Sequence, residues 1–183
     1  MVSFNTLESI LVKALAVVWA VVGVLAMLIF AVCRLSVYAE TTLSSELTIL
    51  QGVLLLLSCS FMAYSEGYKG FYLSFSPRFA ARVKYVYKEG SAIQMLLSPL
   101  FCFGYFGTTR AKQAVAIILT TVLVSLVVFM RYVPQPWRGI IDAGVVVGLS
   151  LGILSIMICL VKEFRSSEYT HDPQVPGLEF LEK

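Results

Sequence analysis

Between Lys13 and Arg34 the chain runs from Ala14 to Cys33, twenty residues, without a charge. A bilayer core is crossed by ~20 apolar residues of helix. Lipid offers the backbone no hydrogen-bond partners, so such a run must satisfy its own N–H and C=O groups as a helix. It is longer than the ~7–15 apolar residues of a signal peptide. Val32, ahead of Cys33, is also too large for a lipoprotein cleavage site. The block therefore reads as a retained span.

Three more stretches repeat the pattern. Leu47 to Tyr64 is broken only by Gln51 and small hydroxyl residues, Ala114 to Met130 has no charge, and Ile140 to Val161 carries one, Asp142. Composition agrees: 58% of residues are hydrophobic and 14% charged, against roughly 45–50% and 25% in soluble domains, and mean hydropathy is +0.85. The expected fold is an all-α integral membrane protein, a four-helix transmembrane bundle with spans near 14–33, 47–64, 114–130 and 140–161. Residues 1–165 form one domain, followed by a polar cytoplasmic tail over 166–183.

The apolar segment Ser91 to Phe106 is short and contains Gln94, Pro99 and Gly104. Positive residues collect on the cytoplasmic side. If the segment does not cross, eleven of the 14 Lys and Arg residues lie inside and Arg34, Arg131 and Arg138 lie outside; if it crosses, the split is eight to six. The segment is accordingly expected to be re-entrant or interfacial. Both termini are then cytoplasmic, with the bacterial inner membrane as the default location.

Before it, Ser76 and Pro77 suit a helix start and Gly90 a stop. Phe79, Val83, Val86 and Tyr87 share a face, flanked by Arg78, Arg82, Lys84 and Lys88. That pattern predicts a basic amphipathic cytoplasmic helix over 77–89, resting on anionic lipid head groups. Glu66 to Phe71, with Gly67 and Gly70, reads as a cytoplasmic loop joining the second span to it.

Within the spans, Gly144, Gly148 and Gly152 form a G-x-x-x-G-x-x-x-G series, which lets a neighbouring backbone approach closely. The small residues Ala16, Ala20 and Gly23 of the first span are its expected partners. Asp142 is the one acid inside a span and a functional candidate on that ground, although Arg138 four residues earlier can pair with it. Gln51, Ser125 and Asp142 fall at similar depth and are candidates for a polar pocket; ordinary interhelical hydrogen bonds are the competing reading.

No catalytic motif is visible. There is no G-x-S-x-G or H-E-x-x-H, and the single His171 lies in the tail. Cys33, Cys59, Cys102 and Cys159 form no C-x-x-C pair and read as free thiols in apolar surroundings. No metal, cofactor or nucleic-acid partner is expected. The functional expectation is a non-catalytic accessory, assembly or scaffold subunit, partnered by membrane lipids and by a membrane protein or further copies of itself. The alternative is a small transporter or channel with Asp142 and Gln51 lining a polar path.

Overall fold

The computed structural model describes residues 4–166 and 168–175, with side chains from residue 8 onward. It is all-helical among those residues, in the order α1 (Phe4–Leu43), α2 (Ile49–Met62), a π-helical segment (Ala63–Phe75), α3 (Ser76–Glu89), α4 (Ala92–Leu96), α5 (Ser98–Phe103), α6 (Arg110–Met130) and α7 (Trp137–Arg165). Four helices are long and apolar enough to cross a membrane: α1, the continuous rod Ile49–Glu89, α6 and α7.

The second of these departs from the sequence reading. Glu66 to Phe71 is not a loop but part of an unbroken helix of 41 residues. Ser76 does not start a new helix either, because its backbone N–H bonds to the Phe71 carbonyl five residues back. Proline lacks the N–H that an α-helix interior needs and clashes with the preceding turn. Pro77 enters where the wider π register gives way to the first α turn, a position at which both demands lapse. Aromatic rings are stacked along this stretch at intervals of four residues. Tyr64, Tyr68 and Tyr72 stack at 6.1 and 5.8 Å on the outside, while Phe71, Phe75 and Phe79 follow one another at 5.6 Å.

The rod runs parallel to α7. Ser58 and Met62 meet Gly144, Glu66 meets Gly148, Phe71 meets Gly152, and Lys84 meets Glu163. α1 runs antiparallel to both, with Tyr38 and Thr42 at the start of α7 and Lys13 at the end of α3. The start of α1 and the end of α7 thus share one end of the bundle, the tail end. Here Ala16, Ala20, Val24 and Leu28 of α1 close on Phe79, Ala80, Val83 and Val86 of α3, Phe101 and Cys102 of α5, and Ile156, Cys159 and Leu160 of α7.

The glycine series therefore packs on the rod and not on the first span. A Cβ on Gly144 would strike the Ser58 hydroxyl, and one on Gly152 would lie 2.6 Å from the Phe71 ring. The approach is mutual, since a Cβ on Gly67 of the rod would lie 2.9 Å from Leu151. Ala16 and Ala20 are buried in the core, and a Cβ on Gly23 would lie 3.2 Å from Pro99.

Residues 91–106 form two short helices and a turn. Helices of five and six residues extend under about 10 Å at 1.5 Å per residue, too little to cross. The segment is pinned beside α1 by the Ser98 hydroxyl, which donates to the Ala16 carbonyl at 2.8 Å. Gly104 ends α5 at φ 92°, a left-handed geometry that disfavours any residue with a Cβ.

Replacing Gly152 with Leu must displace Phe71, an overpacking that costs on the order of 1–3 kcal/mol. Gly152→Leu is expected to lower the melting temperature in detergent by several degrees, whereas Val161→Leu, on an exposed face of α7, leaves it within a degree. Equal melting temperatures would show that the seam tolerates a side chain.

Candidate functional site

At the end away from the tail, polar groups join α1 to the start of α7. The Thr42 hydroxyl donates to Gln135 Oε1 at 2.7 Å, and the same oxygen accepts the Gly139 N–H at 3.2 Å, capping α7. Arg138 Nε lies 3.4 Å from Asp142 Oδ2, and its guanidinium sits 3.6 Å from the Tyr38 ring centroid. Asp142 is buried and pairs with Arg138 through Oδ2. Gln51 Oε1 accepts the Thr48 N–H at 2.9 Å, capping its own helix. Ser125 is exposed on α6. No hydrogen bond joins Gln51, Ser125 and Asp142 among the described residues, so the sequence-level convergence on a polar pocket is not built.

The tail end holds a second network, and it corrects the reading of the basic helix. Arg78 and Lys88 are exposed, but Arg82 and Lys84 are buried inside the protein and are not a lipid-facing surface. Lys84 Nζ donates to the carbonyls of Glu163 at 2.8 Å, Ser166 at 3.0 Å and Glu168, and pairs with Glu163 Oε1 at 3.4 Å. Glu163, fully buried, also accepts the Thr170 N–H at 2.9 Å and faces His171 Nδ1 at 3.3 Å. Arg82 Nε donates to the Pro173 carbonyl at 3.0 Å, and its Nη1 to the Phe101 carbonyl at 2.6 Å. Tyr169 lies over Lys84 and Lys88 and donates to Glu89 at 3.3 Å. Burial, then the Glu89 carboxylate, hold its phenol above the usual range. Residues 168–175 are thus strapped across the bundle; 176–183 lie outside the described residues.

The third place is a cleft of about 360 Å³ between α6 and the other helices. Met27 and Leu28 of α1, Phe71 and Phe75 of the rod, Leu149 of α7, and Val115, Leu119 and Leu123 of α6 form its apolar walls. Arg78, Arg82 and Lys112 stand at the tail end with Tyr105 and Thr108, and Gln174 of the strap closes the floor. Glu66 lies further in, against Gly148 near the middle of α7. Sequence reasoning placed Glu66 outside the bilayer and passed over Lys112 and Thr108. A glutamate one residue from a glycine, within a run free of turn-forming pairs, was the available hint that the helix continues.

α6 itself frames the cleft from afar. None of its 21 residues is buried, and residues 117–129 are all exposed. Tyr105 is its main tie, through a 2.5 Å bond to the Thr120 hydroxyl, with Gln113 donating to the Tyr105 carbonyl at 2.5 Å.

No protein-family model, curated protein or solved structure matches the chain.

Among the described residues no group of three or more His, Cys, Asp and Glu side chains is placed to hold a metal. All four cysteines are free, Cys102 and Cys159 buried and Cys33 exposed.

Removing one partner of a buried ion pair strands the other and costs on the order of 3–5 kcal/mol. Lys84→Met is expected to lower the melting temperature by about 5–10 °C and to let proteinase K trim the tail back to Ser166, while Lys88→Met does neither. An intact, protected tail in Lys84→Met would mean that the strap is held by other contacts.

Proposed function

We propose that this protein is a non-catalytic integral membrane subunit that holds a second membrane protein, with α6 as the docking helix. The observation carrying this reading is the isolation of α6. The rod, α1 and α7 pack closely, yet α6 buries no residue against them. Its face away from the cleft carries Ile118, Thr121 and Ser125. Thr121 returns its hydroxyl to the Ile117 carbonyl at 2.9 Å, while Ser125 presents a hydroxyl at mid-helix. Small polar residues on a lipid-exposed face suit interhelical contact better than acyl chains. The occupant is another membrane protein or a second copy of this chain.

The reading includes four crossings with both termini in the cytoplasm, most simply of the bacterial inner membrane. Reporter fusions at residues 43, 112, 135 and 170 are expected to read out, in, out and in. A fusion at 112 reading out would remove the orientation on which the docking face is argued.

The transporter alternative finds little support in Asp142 and Gln51, each committed elsewhere. If the chain moves a solute, the cleft beside Glu66 is where the path belongs.

A photo-crosslinking side chain at Ile118 or Val122, in intact membranes, is expected to give one discrete protein adduct. The same probe at Leu154 or Ile158, exposed on α7, gives only lipid adducts. An adduct of twice the chain's mass identifies self-association. Lipid adducts alone at all four positions would overturn the docking reading.

A further inference from the structure

The cleft between α6 and the bundle has a polarity that its shape alone does not require. At its tail end three cations converge: Arg78, Arg82 and Lys112. Arg82 is already committed to the Pro173 and Phe101 carbonyls. Arg78 uses only Nε, on the Ser74 carbonyl at 2.6 Å, which leaves its terminal N–H groups available. Lys112 makes no hydrogen bond or ion pair among the described residues. The hydroxyl of Thr108 is buried in the cleft wall without a partner, and a buried hydroxyl left unsatisfied costs free energy. The same corner holds the first turn of α6, which begins at Arg110 after the N-cap Thr109; unpaired N–H groups there favour an anion. Two uncommitted cations therefore line one volume, with an orphan hydroxyl in its wall and the start of α6 beside it.

Away from that corner the cleft turns apolar. Val115, Leu119 and Leu123 on one side face Met27, Leu28, Phe75 and Leu149 on the other. The carboxylate of Glu66 lies at the opposite end from Arg78, on the order of 15 Å along the rod at ~1.5 Å per residue. Negative charge on a ligand is thus drawn to the Arg78 and Lys112 end and repelled from the other. Gln174 of the strap lines the tail end, and the open side lies between α6 and its neighbours.

We infer that this cleft is a binding site for an anionic phospholipid, its phosphate held by Arg78, Lys112 and the Thr108 hydroxyl. One acyl chain lies between α6 and the bundle, against Leu119 and Leu149. The lipid fills the space that α6 leaves open and ties that helix to the rest of the protein. This holds whether or not α6 also docks a protein on its other face.

The test uses the full chain, delipidated in a neutral detergent, with thermal unfolding followed as lipid is added. Phosphatidylglycerol is expected to raise the melting temperature saturably; phosphatidylcholine and inorganic phosphate are not. Arg78→Ala with Lys112→Ala should weaken the phosphatidylglycerol effect about thirtyfold, one basic residue beside an anionic head group being worth roughly fivefold. Leu119→Trp, which fills the acyl groove without touching charge, should weaken it too, whereas Val124→Trp on the same helix should not. These variants keep the test readable if the double variant folds poorly. Equal stabilisation by phosphatidylcholine would overturn the site, as would an undiminished response in Leu119→Trp. Stabilisation by inorganic phosphate alone would make it a free-anion site and overturn the lipid.

Discussion

Everything in this bundle is arranged around the distance at which the long second helix can lie against α7. Three glycines on α7 and one on the rod remove the side chains that would hold the axes apart. What is gained is dispersion contact, small for each atom pair and large in sum. Apolar burial contributes little between helices in lipid, because acyl chains solvate leucine as well as protein does. The close seam also sets the level of everything else. It brings Glu66 to the middle of α7, Phe71 over Gly152, and Lys84 to the last turn, where Glu163 waits.

That last meeting places two cations where a simple amphipathic helix would have left them wet. Charges taken out of water are tolerated only when paired and hydrogen-bonded, and here the partners are the Glu163 carboxylate and main-chain carbonyls of α5, α7 and the tail. α3 and the strap depend on each other: the strap gives the Glu168 and Pro173 carbonyls to Lys84 and Arg82, and buried Pro173 and partly buried Val175 add apolar contact. α6, by contrast, has neither a seam nor a clamp. It is joined to the bundle by a short turn and a pair of bonds at Tyr105, and the cleft is the space that results.

The helical class and the four helices long and apolar enough to cross a membrane were legible because each rests on a run of apolar residues long enough for a bilayer. The broken helices around Pro99 were legible too, from the segment's short length and its Pro99 and Gly104. Three features were hidden for separate reasons. Gly67 and Gly70 resemble a loop on local propensity, yet Gly67 lies in the close seam with α7, and tertiary contact overrides propensity. Arg82 and Lys84 fall on the flank of an amphipathic pattern, and no periodicity distinguishes a flank facing lipid from one facing a distant tail. The glycine series announced a close neighbour, but geometry at one helix cannot name the helix opposite. Cleft residues such as Lys112 and Thr108 belong to different elements and meet only in three dimensions.

The strap introduces an order of events into the making of this protein. Lys84 leaves the ribosome roughly 80 residues before Glu163, which at ~5–20 residues per second is on the order of 4–16 s. Throughout that interval the lower part of the rod carries a charge whose eventual partners have not been made. It cannot take up its buried position until α7 and the segment after it have been made. The segment after α7 is therefore what allows the second helix to settle, because it carries the carbonyls that Lys84 and Arg82 need.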